Sequence, residues 1–134
     1  YTYYHAINAI DTLYGFSDNV QSILDKGEVI LFEGAKSVMK AYGWGYQNCC
    51  ALLTSHINDN QLRFLIRLAS HGVRIVFAPD SDIDIRKDEN IMKLRHFAAV
   101  EWVWNKYKLL ADKEAPVDRG EEVFKKLYDE RSRL

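Results

Sequence analysis

The stretch "VRIVFAPDSDID" at residues 73–84 passes from an apolar run to three aspartates at alternate positions. Residues 75–79 have the unbroken apolar character of a strand that is buried on both faces. Asp80, Asp82 and Asp84 follow directly after this run. Because like charges this close repel one another, the arrangement costs free energy unless a cation lies among them.

Two earlier apolar runs have the same character. Residues 28–34, "EVILFEG", and residues 48–54, "NCCALLT", are predicted to be buried strands. Continuous apolar strands that alternate with helices predict an α/β fold of three layers, Rossmann-like, with a mainly parallel sheet of about four strands. The helices are predicted at residues 17–27, 35–45, 56–72, 88–100 and 121–134, and the fourth strand at 101–110.

Capping residues predict where two of these helices begin and end. Ser17 or Asp18 is expected to cap the first helix, and Gly27 to end it. The helix over 56–72 shows the clearest apolar periodicity, has Asn and Asp residues available as its cap, and is expected to end at Gly72.

A metal site is predicted at the carboxyl ends of the strands, where parallel sheets bind their ligands. Glu33 closes the first strand and Asp80 the third, so the two share one crevice if those strands are neighbours. Asp80 and Asp82 point to the same side of an extended backbone, roughly 6–7 Å apart. This spacing suits Mg²⁺, which takes one or two carboxylates plus water and phosphate. Glu33 is either a third ligand or a base that accepts a proton from a hydroxyl group.

Structural roles are open alternatives for several of these side chains. An aspartate just after a strand often caps the next helix or lies in a solvated turn, and this is the favoured interpretation for Asp84. Lys36, one turn from Glu33, could contact a phosphate, although a solvated helix lysine is the simpler interpretation. Trp102 and Trp104 could stack on nucleic-acid bases, but packing in the core or at its edge is favoured.

Composition narrows the class of protein. The 134 residues suffice for one domain with a core, and 48% hydrophobic with 28% charged residues is typical of a folded protein. With 18 basic and 19 acidic residues, the net charge of -1 gives no bulk attraction for nucleic acid. No apolar run approaches the roughly 18 residues that span a membrane. The chain begins without Met, and we expect it to be a piece of a longer protein.

The cysteines are the adjacent pair Cys49 and Cys50. Neighbours on a strand point to opposite faces, so the two thiols are expected to pack separately and not to hold a metal together. The lack of a spaced cysteine framework indicates a reducing compartment, and we expect a cytoplasmic location.

Together these segments resemble the TOPRIM domain of bacterial-type DNA primases and their phage relatives. In that family one strand ends in Glu-Gly, as at Glu33 and Gly34, and a second ends near a Thr, as at Thr54. A helix then opens with acid-x-Gln, as at 59–61, and a later strand ends in the Asp-x-Asp of 80–82. The run-in "TLYGFSDNVQSILDKG" also resembles primases, and the likeness covers roughly residues 12 to 120.

The resemblance implies a function for each matched residue. Glu33 would act in acid/base chemistry, and Asp80 and Asp82 would bind Mg²⁺ or Mn²⁺. The activity implied is nucleotidyl transfer, in which RNA primers are made from nucleoside triphosphates on a single-stranded DNA template during replication. A replicative helicase is a possible partner through regions outside this chain.

The resemblance also implies a division of the chain into three parts. Residues 1–27 would end the preceding subdomain, residues 28–120 would form the catalytic domain, and residues 121–134 would form a C-terminal helix.

Two positions depart from the primase pattern. Ser37 stands where primases commonly have an Asp, and "APVD" at 115–118 stands where they commonly have Asp-Pro-Asp, so that only Asp118 could replace those acids. The chain also carries no zinc-binding Cys/His module and at most the end of the basic subdomain that grips template. We therefore expect weak priming or none from this piece alone.

Three other functions compete with primer synthesis. A TOPRIM nuclease or topoisomerase would use a similar metal site for DNA strand cleavage. A haloacid-dehalogenase phosphatase also has a strand that ends in Asp-x-Asp, but a Thr or Val usually follows two positions later, where this chain has Asp84. A catalytically degenerate TOPRIM domain that docks replication proteins would bind no divalent ion.

Overall fold

A computed structural model of the protein describes residues 12–134, which form one five-stranded sheet with helices on both faces. The helices are α1 Phe16–Lys26, α2 Ala35–Gly43, α3 Asp59–Ser70, α4 Glu89–Leu94 and α5 Glu121–Asp129, with a 3-10 turn at Ile85–Lys87. The strands are β1 Glu28–Phe32, β2 Cys49–Ala51, β3 Arg74–Ala78, β4 Val100–Trp102 and β5 Ser132–Arg133.

The strand order places the ends of β1 and β3 side by side. The order across the sheet is β2-β1-β3-β4-β5, and the first four strands are parallel. Phe32 pairs with Ala78, so the chain leaves both strands at the same edge of the sheet. The α/β fold and the neighbouring position of the first and third predicted strands are therefore confirmed.

The sheet separates two hydrophobic cores, which explains its continuous apolar strands. Leu31, Cys50 and Phe77 pack on one face, whereas Phe32 and Cys49 pack on the other. The prediction that the two cysteines point to opposite faces is confirmed. Burial raises the pKa of the Cys50 thiol to about 12 and that of Cys49 further still, so both thiols are protonated at neutral pH.

Helix α3 follows its sequence signals closely. The Asn58 side chain accepts a hydrogen bond from the backbone of Gln61, and the Gln61 side chain accepts one from the backbone of Asn58. This reciprocal capping box satisfies two of the free N–H groups at the helix start. Gln61 also donates to the carbonyl oxygen of Leu52 just after β2, so the cap joins the helix to the sheet.

The predicted start of the first helix is wrong. Neither Ser17 nor Asp18 caps α1; the N-cap is Gly15, with a left-handed φ of 83° and no side-chain hydrogen bond. The cause is a long-range pairing, because Tyr14 forms an antiparallel bridge with Ala51. The chain must turn into the helix immediately after that bridge, and glycine adopts the required conformation without steric cost.

The last third of the chain departs most from the prediction. Helix α4 ends at Leu94, not at residue 100, and β4 ends at Trp102, not at residue 110. The segment before β4 joins the sheet instead, since the carbonyl of Ala99 accepts the N–H of Ile75. The chain turns away after the strand because the Asn105 side chain closes a loop through the backbone of Leu110.

The C-terminal helix is also shorter than the predicted 121–134. Helix α5 ends at Asp129, and Ser132–Arg133 form a fifth strand, antiparallel to β4. Arg131 stabilises the pairing of this strand with β4, because its guanidinium lies 2.6 Å from a carboxylate oxygen of Glu101 in β4. The three-part domain division stays a prediction, and residues 1–11 of its first part lie outside the described residues. Within residues 12–134, no helix is long and apolar enough to cross a membrane.

Candidate functional site

The structure brings the predicted Glu33 and Asp80 together. Glu33 directly follows β1, and Asp80 follows Pro79 at the end of the neighbouring strand β3. The Glu33 carboxyl lies near enough to Asp80 for its charge to raise the pKa of the Asp80 carboxyl. Two groups 47 positions apart in the chain (80 − 33) thus share one crevice at the carboxyl edge of the sheet, as the order of the strands predicts.

The surroundings of Asp80 disfavour its charged form. Burial raises the pKa of its carboxyl to about 6 from 3.8, and the charges of Glu33, Asp82 and Asp118 contribute to the rise. These four residues are called the acid cluster below. The repulsion expected among these acids thus contributes to the raised pKa of Asp80, although burial contributes more.

Asp118 joins the acid cluster through the loop before α5. Its carboxylate accepts the N–H of Ala115 at 2.8 Å and lies 3.2 Å from the Lys40 ammonium of α2. The first contact closes a turn around Pro116, and the second ties that turn to the helix that follows Glu33. Asp118 therefore brings a charge near Asp80 while its own oxygens are occupied by these two donors.

Asp84 lies outside the acid cluster. Its side chain accepts the backbone N–H of Arg86 at the start of the 3-10 turn and binds the Arg86 guanidinium at 2.8 and 2.9 Å. These hydrogen bonds and the Arg86 charge lower the pKa of Asp84 to about 2. The capping interpretation of Asp84 describes these contacts, and its metal role stays a prediction that no contact supports.

Two residues in the first turn of α2 follow Glu33 closely in the chain, and the sequence singles out both. Lys36 is exposed on the first turn, and no carboxylate in the described part of the chain pairs with it. Ser37, at the position where primases commonly have an aspartate, is 5% exposed. An ionised carboxylate buried at this position would need a cation or hydrogen-bond donors beside it. Because residue 37 is a serine, the protein has no buried charge at this position.

Ser81 is a residue of the site that the sequence reasoning missed. Lying between Asp80 and Asp82, it donates through its hydroxyl to the carbonyl of Ala111, and its N–H donates to the carbonyl of Glu114 at 2.8 Å. These bonds fasten the loop that carries Asp80 and Asp82, called the aspartate loop below, to the loop before α5. A small hydroxyl residue between two acids was the available signal, but the hydroxyl's partner is 30 positions away and leaves no local pattern.

The oxygens of this crevice fit a magnesium-type ion. Among residues 12–134, no three His, Cys, Asp or Glu side chains are arranged to hold one metal ion. Mg²⁺ does not need three, since it binds through one or two carboxylates and keeps several waters. Asp80 and Asp82 would supply those oxygens, with Glu33 beside them, and a cation would offset the acid charges that add to the effect of burial on the pKa of Asp80.

We expect Asp80→Asn to stabilise the protein at neutral pH in the absence of divalent ions. The pKa of Asp80 is raised to about 6 in the folded state, from 3.8 in the unfolded chain. The contribution of this group to the free energy of unfolding is therefore fully present below pH 3.8 and is lost as the pH rises through about 6. Removing the charge should therefore raise Tm by a few degrees at about pH 7.5 and leave it unchanged near pH 4. Thermal unfolding in EDTA, followed by circular dichroism, measures this.

Asp84→Asn is the matched control for that experiment. Its pKa is lowered by Arg86, so its loss should lower stability above the unfolded pKa, and the loss should fade as the pH falls. A lower Tm for Asp80→Asn at neutral pH, or an equal rise at both pH values, would contradict the claim that the charge of Asp80 destabilises the folded protein.

Comparison with known proteins identifies the fold. No family model matches the chain, and no curated protein sequence matches it. Among solved structures, the zinc-binding and RNA polymerase domains of Aquifex aeolicus primase superpose with a TM-score of 0.66 at 21% identity, over 91% of this chain and 30% of that one. The RNA polymerase domain of Mycobacterium tuberculosis primase DnaG gives a TM-score of 0.62 at 15% identity, over 90% of this chain and 41% of that one.

The fold is that of the primase catalytic core. A third structure, a DnaG primase catalytic domain bound to single-stranded DNA, matches with a TM-score of 0.61 at 16% identity over 90% of this chain and 39% of that one. The chain thus spans well under half of the length of each of these primase structures. The resemblance to primases drawn from the sequence is supported at the level of the fold, while bacterial or phage origin stays a prediction.

Proposed function

We propose that this chain is the catalytic TOPRIM domain of a DNA primase, which joins ribonucleotides into primers on a single-stranded DNA template. The observation that carries the proposal is the crevice where Glu33 meets Asp80 at the carboxyl edge of β1 and β3. It lies on the primase-core fold, at the edge of the sheet where α/β proteins bind their ligands.

In this proposal Asp80 and Asp82 hold Mg²⁺ or Mn²⁺. When bound, such ions neutralise the charge that develops on a transferred phosphoryl group and align the attacking and leaving oxygens. The hydrogen bonds of Ser81 to the loop before α5 are proposed to keep the two carboxylates in position. Partial burial of Asp80 strengthens the attraction of its carboxylate for a cation relative to a carboxylate in water.

In this proposal Glu33 moves the proton of the reaction. Primer extension joins the 3′-hydroxyl oxygen of one nucleotide to the α-phosphorus of the next, and the bond to pyrophosphate breaks. The attacking hydroxyl must lose its proton, and a carboxylate within hydrogen-bond reach can accept it. Glu33, which follows β1 beside Asp80 at the carboxyl edge of the sheet, is the group proposed for this step.

The proposed partners follow from the same chemistry. Single-stranded DNA serves as template and nucleoside triphosphates as substrates, in a cytoplasmic protein with a helicase partner reached through other regions. A similar solved structure, the DnaG catalytic domain bound to single-stranded DNA, supports a DNA partner. Since the chain carries a net charge of -1, most of the template grip is proposed to come from regions outside it.

Primer synthesis by the full-length protein tests the proposal. The assay combines labelled ribonucleotides, a single-stranded DNA template and Mg²⁺ or Mn²⁺, with labelled duplex DNA incubated in parallel. We expect short RNA products that require the template, with the DNA left intact. Nicked DNA without RNA would assign strand cleavage instead, and neither product would favour a domain that only docks other proteins.

A further inference from the structure

A groove adjoins the acid cluster at Asp82, and the proposed chemistry uses none of its other residues. Its volume is about 470 Å³, within the range of small-molecule sites. One wall is the loop over 81–86, which carries Asp82, and the other is the segment over 102–112 that leaves β4. A molecule in this groove would therefore contact a residue of the proposed metal site at one end.

Trp104 gives the groove an aromatic surface. Its ring stacks on Trp102 with centroids 5.4 Å apart, and its indole N–H donates to the Ser132 hydroxyl at 3.0 Å. Trp102 is 8% exposed, as the packing interpretation predicts, but Trp104 is 37% exposed. The Lys106 ammonium also lies over the Trp104 ring, 5.8 Å from its centroid. Trp102 and Lys106 thus fix the ring, and the accessible surface is the part that neither of them covers.

The loop that follows Trp104 is held in one arrangement. The Asn105 side chain both donates to and accepts from the backbone of Leu110, at 2.9 and 3.0 Å. Lys106 and Tyr107 bind the backbone and side chain of Glu130 at the end of α5. A wall fastened at both ends loses little conformational freedom when a ligand binds, which favours affinity.

The charges of the groove select the kind of ligand. Asp82, Asp84 and Asp112 line it together with Arg86 and Lys108, and the Arg86 guanidinium is already paired with Asp84. Three carboxylates against two cations do not attract a phosphate. A neutral, planar ring suits this lining better, because it stacks on an indole and accepts hydrogen bonds from the polar rim.

We propose that this groove binds one nucleobase, stacked on Trp104, with the phosphate attached to that base directed toward the acid cluster. The proposal rests on the proposed function, since it supplies the base subsite of that reaction. The base belongs either to a single strand of nucleic acid or to a free nucleoside triphosphate, and both present the same ring to the indole.

Binding by Trp104 variants of the full-length protein tests this assignment. The probes are a fluorescein-labelled oligo-dT, ATP, and a blunt DNA duplex of the same length, with Mg²⁺ present. We expect Trp104→Ala to weaken binding of oligo-dT or of ATP by about 5- to 100-fold, the loss typical of one aromatic stacking partner. Duplex binding should not change, and the probe that loses affinity identifies the source of the base.

Three variants separate stacking from a structural role of the indole. Trp104→Phe keeps an aromatic face without the N–H, and Ser132→Ala removes the hydrogen bond while keeping the indole, so both should retain binding. Tyr42→Ala removes another exposed aromatic ring, in a separate groove between α1 and α2, and should have no effect. Equal losses in Trp104→Phe, Ser132→Ala and Trp104→Ala would assign a structural role and overturn the proposal.

Photocrosslinking gives a second reading that other DNA-binding regions cannot mask. An oligonucleotide containing iodouracil is expected to form an adduct at Trp104, located by mass spectrometry. Adducts only at other residues, together with unchanged binding by Trp104→Ala, would overturn the assignment of the groove as a base-binding site even if the protein makes primers. A Trp104 adduct on a protein that makes no primers would instead leave the groove standing and refute the proposed function.

Discussion

Replacing Asp82 with Asn in the full-length protein is expected to lower the rate of primer synthesis by about 100-fold or more, because the loss of a metal-binding carboxylate costs several kcal/mol of transition-state stabilisation. Asp84→Asn, only two positions away, should leave the rate within about twofold, since Asp84 is paired with the exposed Arg86 guanidinium and lies outside the acid cluster. The two variants remove the same charge from the same loop, so a general electrostatic effect would lower both rates alike.

Initial rates over a range of Mg²⁺ concentrations measure this difference. The activity of Asp82→Asn should recover in part at high Mg²⁺ or on changing to Mn²⁺, because weaker affinity is offset by mass action. A fully active Asp82→Asn protein, or an equal loss in Asp84→Asn, would contradict the assignment of Asp82 as a ligand.

The largest expected effect on stability is at the opposite end of β1. Glu28 is 6% exposed, accepts a hydrogen bond from the Tyr128 hydroxyl, and lies 3.3 Å from Arg131 and 3.8 Å from Arg74. Glu28→Ala should lower the free energy of unfolding by about 3 kcal/mol, since it removes the buried carboxylate that both the Tyr128 hydroxyl and the Arg131 guanidinium bind. Glu101, which also binds Arg131, keeps the loss at the lower end of the usual range.

An exposed ion pair on α5 provides the control for Glu28. Lys125 and Asp129 are 2.8 Å apart, with side chains 63% and 50% exposed, and Asp129→Ala should cost less than about 0.5 kcal/mol. Urea unfolding of each variant gives the free energies, provided that the m-values agree. Losses of similar size in Glu28→Ala and Asp129→Ala would show that the buried network does not stabilise the sheet.

The parts of the fold that could be predicted from the sequence are those with local signals. The first three strands are apolar on both faces, and short, unbroken apolar runs between helices are typical of strands in a covered parallel sheet. Helix α3 carries its own capping box in Asn58 and Gln61. From the order of these elements, the meeting of Glu33 and Asp80 could be predicted because parallel strands end at one edge.

Long-range contacts decide the parts that could not be predicted. Gly15 caps α1 because Tyr14 pairs with Ala51, and the short strand β5 forms because the tail returns to β4. The contact of Lys40 with Asp118 spans 78 positions and leaves no periodic pattern. The alternation of aromatic residues from Trp102 onward is typical of a strand, but the strand ends at Trp102. Trp102 is buried, whereas Trp104 is partly exposed and precedes the loop that Asn105 closes.

Titration of the protein with Mn²⁺ by isothermal calorimetry tests the central claim most directly, beside the double variant Asp80→Asn, Asp82→Asn. Because removal of the Asp80 charge is expected to stabilise the fold, lost binding in this variant would not reflect unfolding, and circular dichroism of the same samples checks this. The metal-site assignment predicts saturable heat for the wild-type protein and none for the double variant. Identical titrations for the two proteins would contradict it, and the acid cluster would then not be a metal site.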